Sequence, residues 1–104
     1  MGKMNMCFVE INALAETITA NNPKIRINGT ENDLDNLPKI VFAANVSKNS
    51  AGFIPLIIEV LVGNAVQARI DIQLPCPVTI PQLVLFTVPG QGLGTVTLDI
   101  NITS

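Results

Sequence analysis

The chain has 104 residues, the size of one domain, with 48% hydrophobic residues, only 13% charged residues and a formal net charge of −2. This composition excludes a disordered polyelectrolyte, which needs low hydrophobicity and high charge. Six Lys and Arg scattered along the chain form no basic stripe for nucleic acid, and the absence of histidine removes imidazole metal sites and His-based acid–base chemistry.

The first ten residues contain no uninterrupted apolar run followed by a small-residue cleavage site, so cytoplasmic synthesis without a signal peptide is expected. Incorporation into a virion, spore or other particle is compatible with that origin. Phe8, Ile11, Leu14 and Ile18 recur at helical spacing, and Ala13 to Glu16 are adequate helix formers. The spacing predicts a short helix over residues 10–20, stopped by Asn21-Asn22-Pro23. An extended arm is the alternative, since Val9, Ile11, Thr17, Ile18 and Thr19 suit strands. Within a single domain, residues 1–22 thus read as an N-terminal helix or arm and residues 23–104 as a β-sandwich.

Lys24 to Asn28 reads as a short strand ended by Gly29, and Thr30 to Leu37 as a polar loop closed by Pro38. From Lys39 onward the period is two, predicting strands over 40–46, 54–62, 65–74, 82–88 and 95–103. Gly63-Asn64 suits a two-residue type II′ hairpin, with Gly supplying the positive φ. Prolines 75, 77 and 81 fall at a junction, and Gly90 to Gly94 form a Gly-rich turn. Short strands at this spacing predict a mainly all-β fold, an antiparallel sandwich or a jelly-roll-like barrel. The longest apolar run, Phe53 to Val62, is interrupted by Pro55 and Glu59 and is half the length of about 20 residues that a spanning helix needs, so no membrane insertion is expected.

The predicted strands fall into two classes. Those over 65–74 and 95–103 alternate cleanly between apolar and polar residues. Those over 40–46, 54–62 and 83–88 carry apolar residues on both faces: Ile57 and Leu61 flank Glu59, and Leu83 and Leu85 oppose Val84 and Phe86. A two-layer sandwich buries only inner faces, so the second apolar face needs a cover. Another copy of the same chain is the expected cover. The expected contact residues are Phe8, Ile11, Ile18, Ile57, Leu61, Val84 and Phe86, with the N-terminal segment docking as an added strand. Leu61→Asp is expected to dissociate the assembly and leave a folded monomer.

Candidate chemistry is sparse. Cys7 and Cys76 lie too far apart for a CxxC motif and read as reduced thiols or as a disulfide within or between chains, an inter-chain bond being the form that would link an assembly. The acidic stretch Glu31 to Asn36 lacks the spacing, the central Gly and the terminal Glu of an EF-hand. Glu59, Asp71 and Asp99 lie on three strands among Thr, Gln and Arg69 and read as a polar face, Glu59 pairing with Arg69 or Lys39. The glycines from Gly90 precede a strand rather than a helix, which excludes a dinucleotide fingerprint. No catalytic, cofactor or metal site is expected. The sequence therefore reads as a non-enzymatic structural subunit that forms a homo-oligomer, as a ring, a filament or a particle surface in which other proteins take part. A small binding module for a ligand, carbohydrate or protein, using loops 32–36 and 91–94, is the alternative.

Overall fold

Strict alternation organises the chain: Val96, Leu98, Ile100 and Ile102 are buried while Thr95, Thr97, Asp99, Asn101 and Thr103 turn the other way. In the computed structural model, which describes residues 5–16, 22–34, 39–78, 82–87 and 94–104, that stretch is the last of eight strands. They are β1 (Met6–Glu16), β2 (Pro23–Ile27), β3 (Thr30–Asp33), β4 (Lys39–Ser47), β5 (Phe53–Val62), β6 (Ala65–Pro75), β7 (Gln82–Thr87) and β8 (Thr95–Thr103). All pairings are antiparallel, in two four-stranded sheets of order β4-β1-β8-β7 and β3-β2-β5-β6. One core joins them: Val9, Ile11, Leu98 and Ile100 from the first sheet pack with Ile25, Ile27, Leu56 and Ile58 from the second.

The N-terminal segment corrects the expected helix. Met6–Glu16 is a strand inside its sheet, paired with β4 on one side and β8 on the other. Cys7, Val9, Ile11 and Ala13 occupy every second position and are all buried. Phe8 and Leu14 project from the opposite face to Ile11, so the apolar residues at helical spacing are divided between two faces and make no helical stripe. Two flanking strands outweigh the modest helix propensity of Ala13 to Glu16. Thr17 to Asn21 lie outside the described residues.

A second correction concerns Thr30–Asp33, expected within a loop and found as β3, which forms a hairpin with β2. Asn28 and Gly29 turn it with φ of +48° and +86°, the two positive values that a type I′ turn requires. Asn28 also ties the turn to β5. Its backbone N–H donates to the Ile57 carbonyl (2.9 Å), while its Oδ1 accepts from the Ile57 N–H (2.8 Å). The side chain thereby continues the ladder that the turning backbone has left. The β5–β6 turn is as anticipated: Val62 pairs with Ala65, and Gly63 has φ +62°. Residues 35–38, 79–81 and 88–93, including most of the predicted Gly-rich turn, lie outside the described residues.

Candidate interaction surfaces

The two outward faces differ in chemistry, and the pairing register explains how. On the β3-β2-β5-β6 sheet, Glu31 lies opposite Arg26, Arg26 opposite Glu59, and Glu59 opposite Arg69. Side chains directly opposite across antiparallel strands are near enough to interact, so the register alone produces a ladder of alternating sign across the whole sheet. Arg26 Nε donates to Glu59 Oε1 at 2.8 Å, and Arg26 Nη1 lies 3.3 Å from Glu31 Oε2. Arg69 Nη1 reaches Glu59 Oε2 at 3.4 Å and its Nε lies 3.3 Å from Asp71 Oδ1.

Glu59 is the centre of this ladder and its most enclosed member, with 12% of its side chain exposed. The hydrogen bond from Arg26 holds its carboxyl below the ordinary carboxylate value; desolvation opposes this, and the charges of Arg26 and Arg69 add to it. In return Glu59 raises the Arg26 guanidinium, while Asp71 is the main cause of the rise at Arg69. Both lone-pair edges of the Glu59 carboxylate are occupied by guanidinium groups, so it is held as a structural anion. The pairing with Arg69 follows the sequence reading; Arg26, the closer partner, was not singled out there.

The outer face of the β4-β1-β8-β7 sheet is less charged and, among the described residues, carries the most exposed large apolar side chains. Leu83 is 73% exposed and Leu85 68%. Register with β8 sets Leu83 opposite Asp99 and Leu85 opposite Thr97, while Val84 lies opposite Leu98 and packs against the core. Leu14 lies beyond Thr97 on β1, and Ile40 stands opposite Asn12 at the β4 bulge. Asn12, Leu14, Leu83, Thr97 and Asp99 line a shallow groove of about 260 Å³.

The expected contact residues are distributed as follows. Phe8 projects from the outer face of the first sheet and Ile57 from that of the second, both part-exposed. Ile11 is fully buried in the core, and Leu61, on the outward side of β5, is only 2% exposed within the protomer. Val84 is half-buried and faces inward; Phe86 pairs with Val96 in the same alternation, and its side chain is not among those described. The outward residues of β7 are thus Leu83 and Leu85, the opposite parity to the pair singled out from the sequence. Ile18 lies outside the described residues.

Cys7 and Cys76 are bonded to each other within the chain, which corrects the inter-chain link, with Cα atoms 6.5 Å apart. The bond ties β1 to the segment leaving β6, and so connects the two sheets; this places the segment beside the core, where Val78 N–H donates to the Ile102 carbonyl at 3.1 Å. Glu59 and Asp71 sit on one outer face and Asp99 on the other, so the three carboxylates do not converge. Glu31 is engaged by Arg26, and the Asn32 amide donates to the Val41 carbonyl, so part of the acidic stretch serves the fold. Among the described residues no cluster of three or more Cys, Asp or Glu could hold a metal ion, and no helix is long and apolar enough to cross a membrane. No protein-family model and no curated protein matches the sequence.

Proposed function

We propose that the chain is a non-enzymatic structural subunit that assembles with further copies of itself into a larger particle or surface layer. The observation that carries this reading is the outward display of Leu83 and Leu85 on a terminal strand without charged residues. Apolar side chains so exposed, with part-exposed Leu14 lining the same groove and Ile40 on the far strand of the same face, favour burial against another surface. Burying a Leu side chain fully is worth roughly 1.5–3 kcal/mol, so a few per copy offset a useful share of association entropy. The Cys7–Cys76 bond supports a destination in an oxidising environment, as a particle exposed outside the cytoplasm meets.

The second reading, a binding module, draws on the groove beside Leu14 and Leu83. Its volume of about 260 Å³ falls below the roughly 300–1,000 Å³ usual for small-molecule sites, and self-association is therefore preferred. Light scattering across a wide concentration range tests the proposal. A mass rising above 11.1 kDa supports it, and a mass of 11.1 kDa at every concentration overturns it.

A further inference from the structure

We infer that β7 pairs antiparallel with β7 of a second copy, about a two-fold axis at Val84, joining the two β4-β1-β8-β7 sheets into one continuous sheet. This rests on the self-assembly reading and names its surface and partner. Four strands, β3, β4, β6 and β7, end the two sheets. β3 carries Glu31 and Asp33 in only four residues. β6 carries Arg69 and Asp71 and a register shift opposite Val60 and Leu61. β4 has a register shift near its Ile40 end and has its Val41 carbonyl taken by the Asn32 side chain. Charge, irregular register and side-chain capping are the usual means of blocking edge-to-edge pairing. β7, with the sequence Gln-Leu-Val-Leu-Phe-Thr, carries no charged residue and pairs with β8 in continuous register.

Self-complementarity identifies the occupant as a second copy. In antiparallel pairing, opposed residues share a face, so residue numbers facing each other must sum to an even value. With Val84 opposite Val84, Leu83 of each copy meets Leu85 of the other, and all four exposed leucines form one cluster on the outer face. On the inner side the two Val84 side chains extend the core across the junction. A shift of one residue in each copy sets Leu83 against Thr87 and loses half of that cluster. A foreign strand would have to reproduce the same uncharged apolar pattern that β7 already supplies. A contact of one short strand buries less than the roughly 1,200 Å² of standard interfaces, so a reversible, concentration-dependent dimer is expected. Isologous pairing uses up β7 in both copies and closes at two.

The test combines mass and cross-linking. Light scattering is measured from about 1 to 500 µM for the full chain and for Leu83→Lys, Leu85→Lys and Ile57→Lys, each checked for an unchanged circular dichroism spectrum and urea midpoint; the range brackets a micromolar dimer. The wild type and Ile57→Lys are expected to approach twice 11.1 kDa, with both β7 variants weakened roughly tenfold or more. Leu83→Cys mixed with Leu85→Cys should cross-link under mild oxidation, while either alone should not, because like positions are diagonal at roughly 7–8 Å. Dimers that survive Lys at both β7 positions, or that are lost on Ile57→Lys, overturn the inference and leave self-assembly standing. A wild type that stays monomeric throughout overturns both.

Discussion

Replacing both cysteines tests the staple between the sheets. Cys7 and Cys76 are separated by 69 positions, and closing a loop of that size lowers the entropy of the unfolded chain by an amount worth about 4.4 kcal/mol at 25 °C. Native-state strain and residual unfolded structure commonly reduce such values, so a loss of about 3–4 kcal/mol is expected for Cys7→Ala/Cys76→Ala. Cys7 is buried, and alanine avoids placing a hydroxyl there. At about 4–8 °C per kcal/mol for a domain of this size, Tm should fall by roughly 15–25 °C. Urea unfolding followed by circular dichroism, with and without dithiothreitol, measures the same quantity in the wild type. Reduction should lower the midpoint and raise the m-value, because the unlinked unfolded chain exposes more surface. Two reactive thiols in the folded, unreduced protein would show that the bond is absent, and a shift below about 0.5 kcal/mol on reduction would show that it does not staple the fold.

Three further outcomes are expected. The Glu59 carboxyl is held below its ordinary value of 4.5, so its contribution is present above that pH and is lost as pH falls through the lower folded value. Stability of the wild type measured from pH 7 downwards should drop toward that of Glu59→Gln in the acid range, and two parallel curves would count against the ladder. Asn28→Ala removes the acceptor for the Ile57 N–H and places alanine at φ +48°, which should cost about 1–2 kcal/mol in a denaturant melt. Leu61→Asp should destabilise the protomer itself, since deleting a buried leucine costs about 2–5 kcal/mol and the new carboxylate would be placed where Leu61 is 2% exposed, opposite Lys24 on β2. A variant with an unchanged melting midpoint would show that Leu61 is not buried as described.

Where one face is apolar and the other polar, the sequence specifies the structure closely. β8 was readable residue by residue and β6 from Ala68 onward, while the register shift opposite Val60 and Leu61 turns Val66 to the outer face, against the simple alternation. Gly63-Asn64 announced its turn because glycine takes that φ easily. β1 was ambiguous for a physical reason: Phe8, Ile11 and Leu14 satisfy a period near 3.6 while Cys7, Val9, Ile11 and Ala13 satisfy a period of two. Only the neighbours β4 and β8 decide between them. β7 was ambiguous in parity, since Leu83 and Leu85 are as apolar as Val84 and Phe86, and pairing with β8 alone fixes which set faces out. Asn28-Gly29 did carry a hairpin signal, the strongest short-range one there is, but the charged residues of β3 masked the strand that follows. The disulfide and the Arg26–Glu59 contact depend on how sheets and strands meet, and no local pattern in a single chain encodes that.

The same features that hold the sheets also determine what kind of assembly the proposed reading allows. An edge accepts a strand only if its backbone is regular and its side chains do not repel the newcomer. The ladder that ends at Glu31 gives β3 a charged, four-residue edge, and its other end gives β6 Arg69 and Asp71. Asn32 ties the β3 edge to the β4 edge through the Val41 carbonyl, which draws one side of the sandwich closed. Filament growth by strand addition needs two open edges on each subunit, one to offer and one to receive. Among the described residues β3, β4 and β6 are guarded and β7 carries no charge, so the inferred pairing would use one edge per copy and stop at a dimer. Larger particles built from this chain must then extend through side-chain contacts on the outer faces, where Phe8 and Ile57 remain part-exposed.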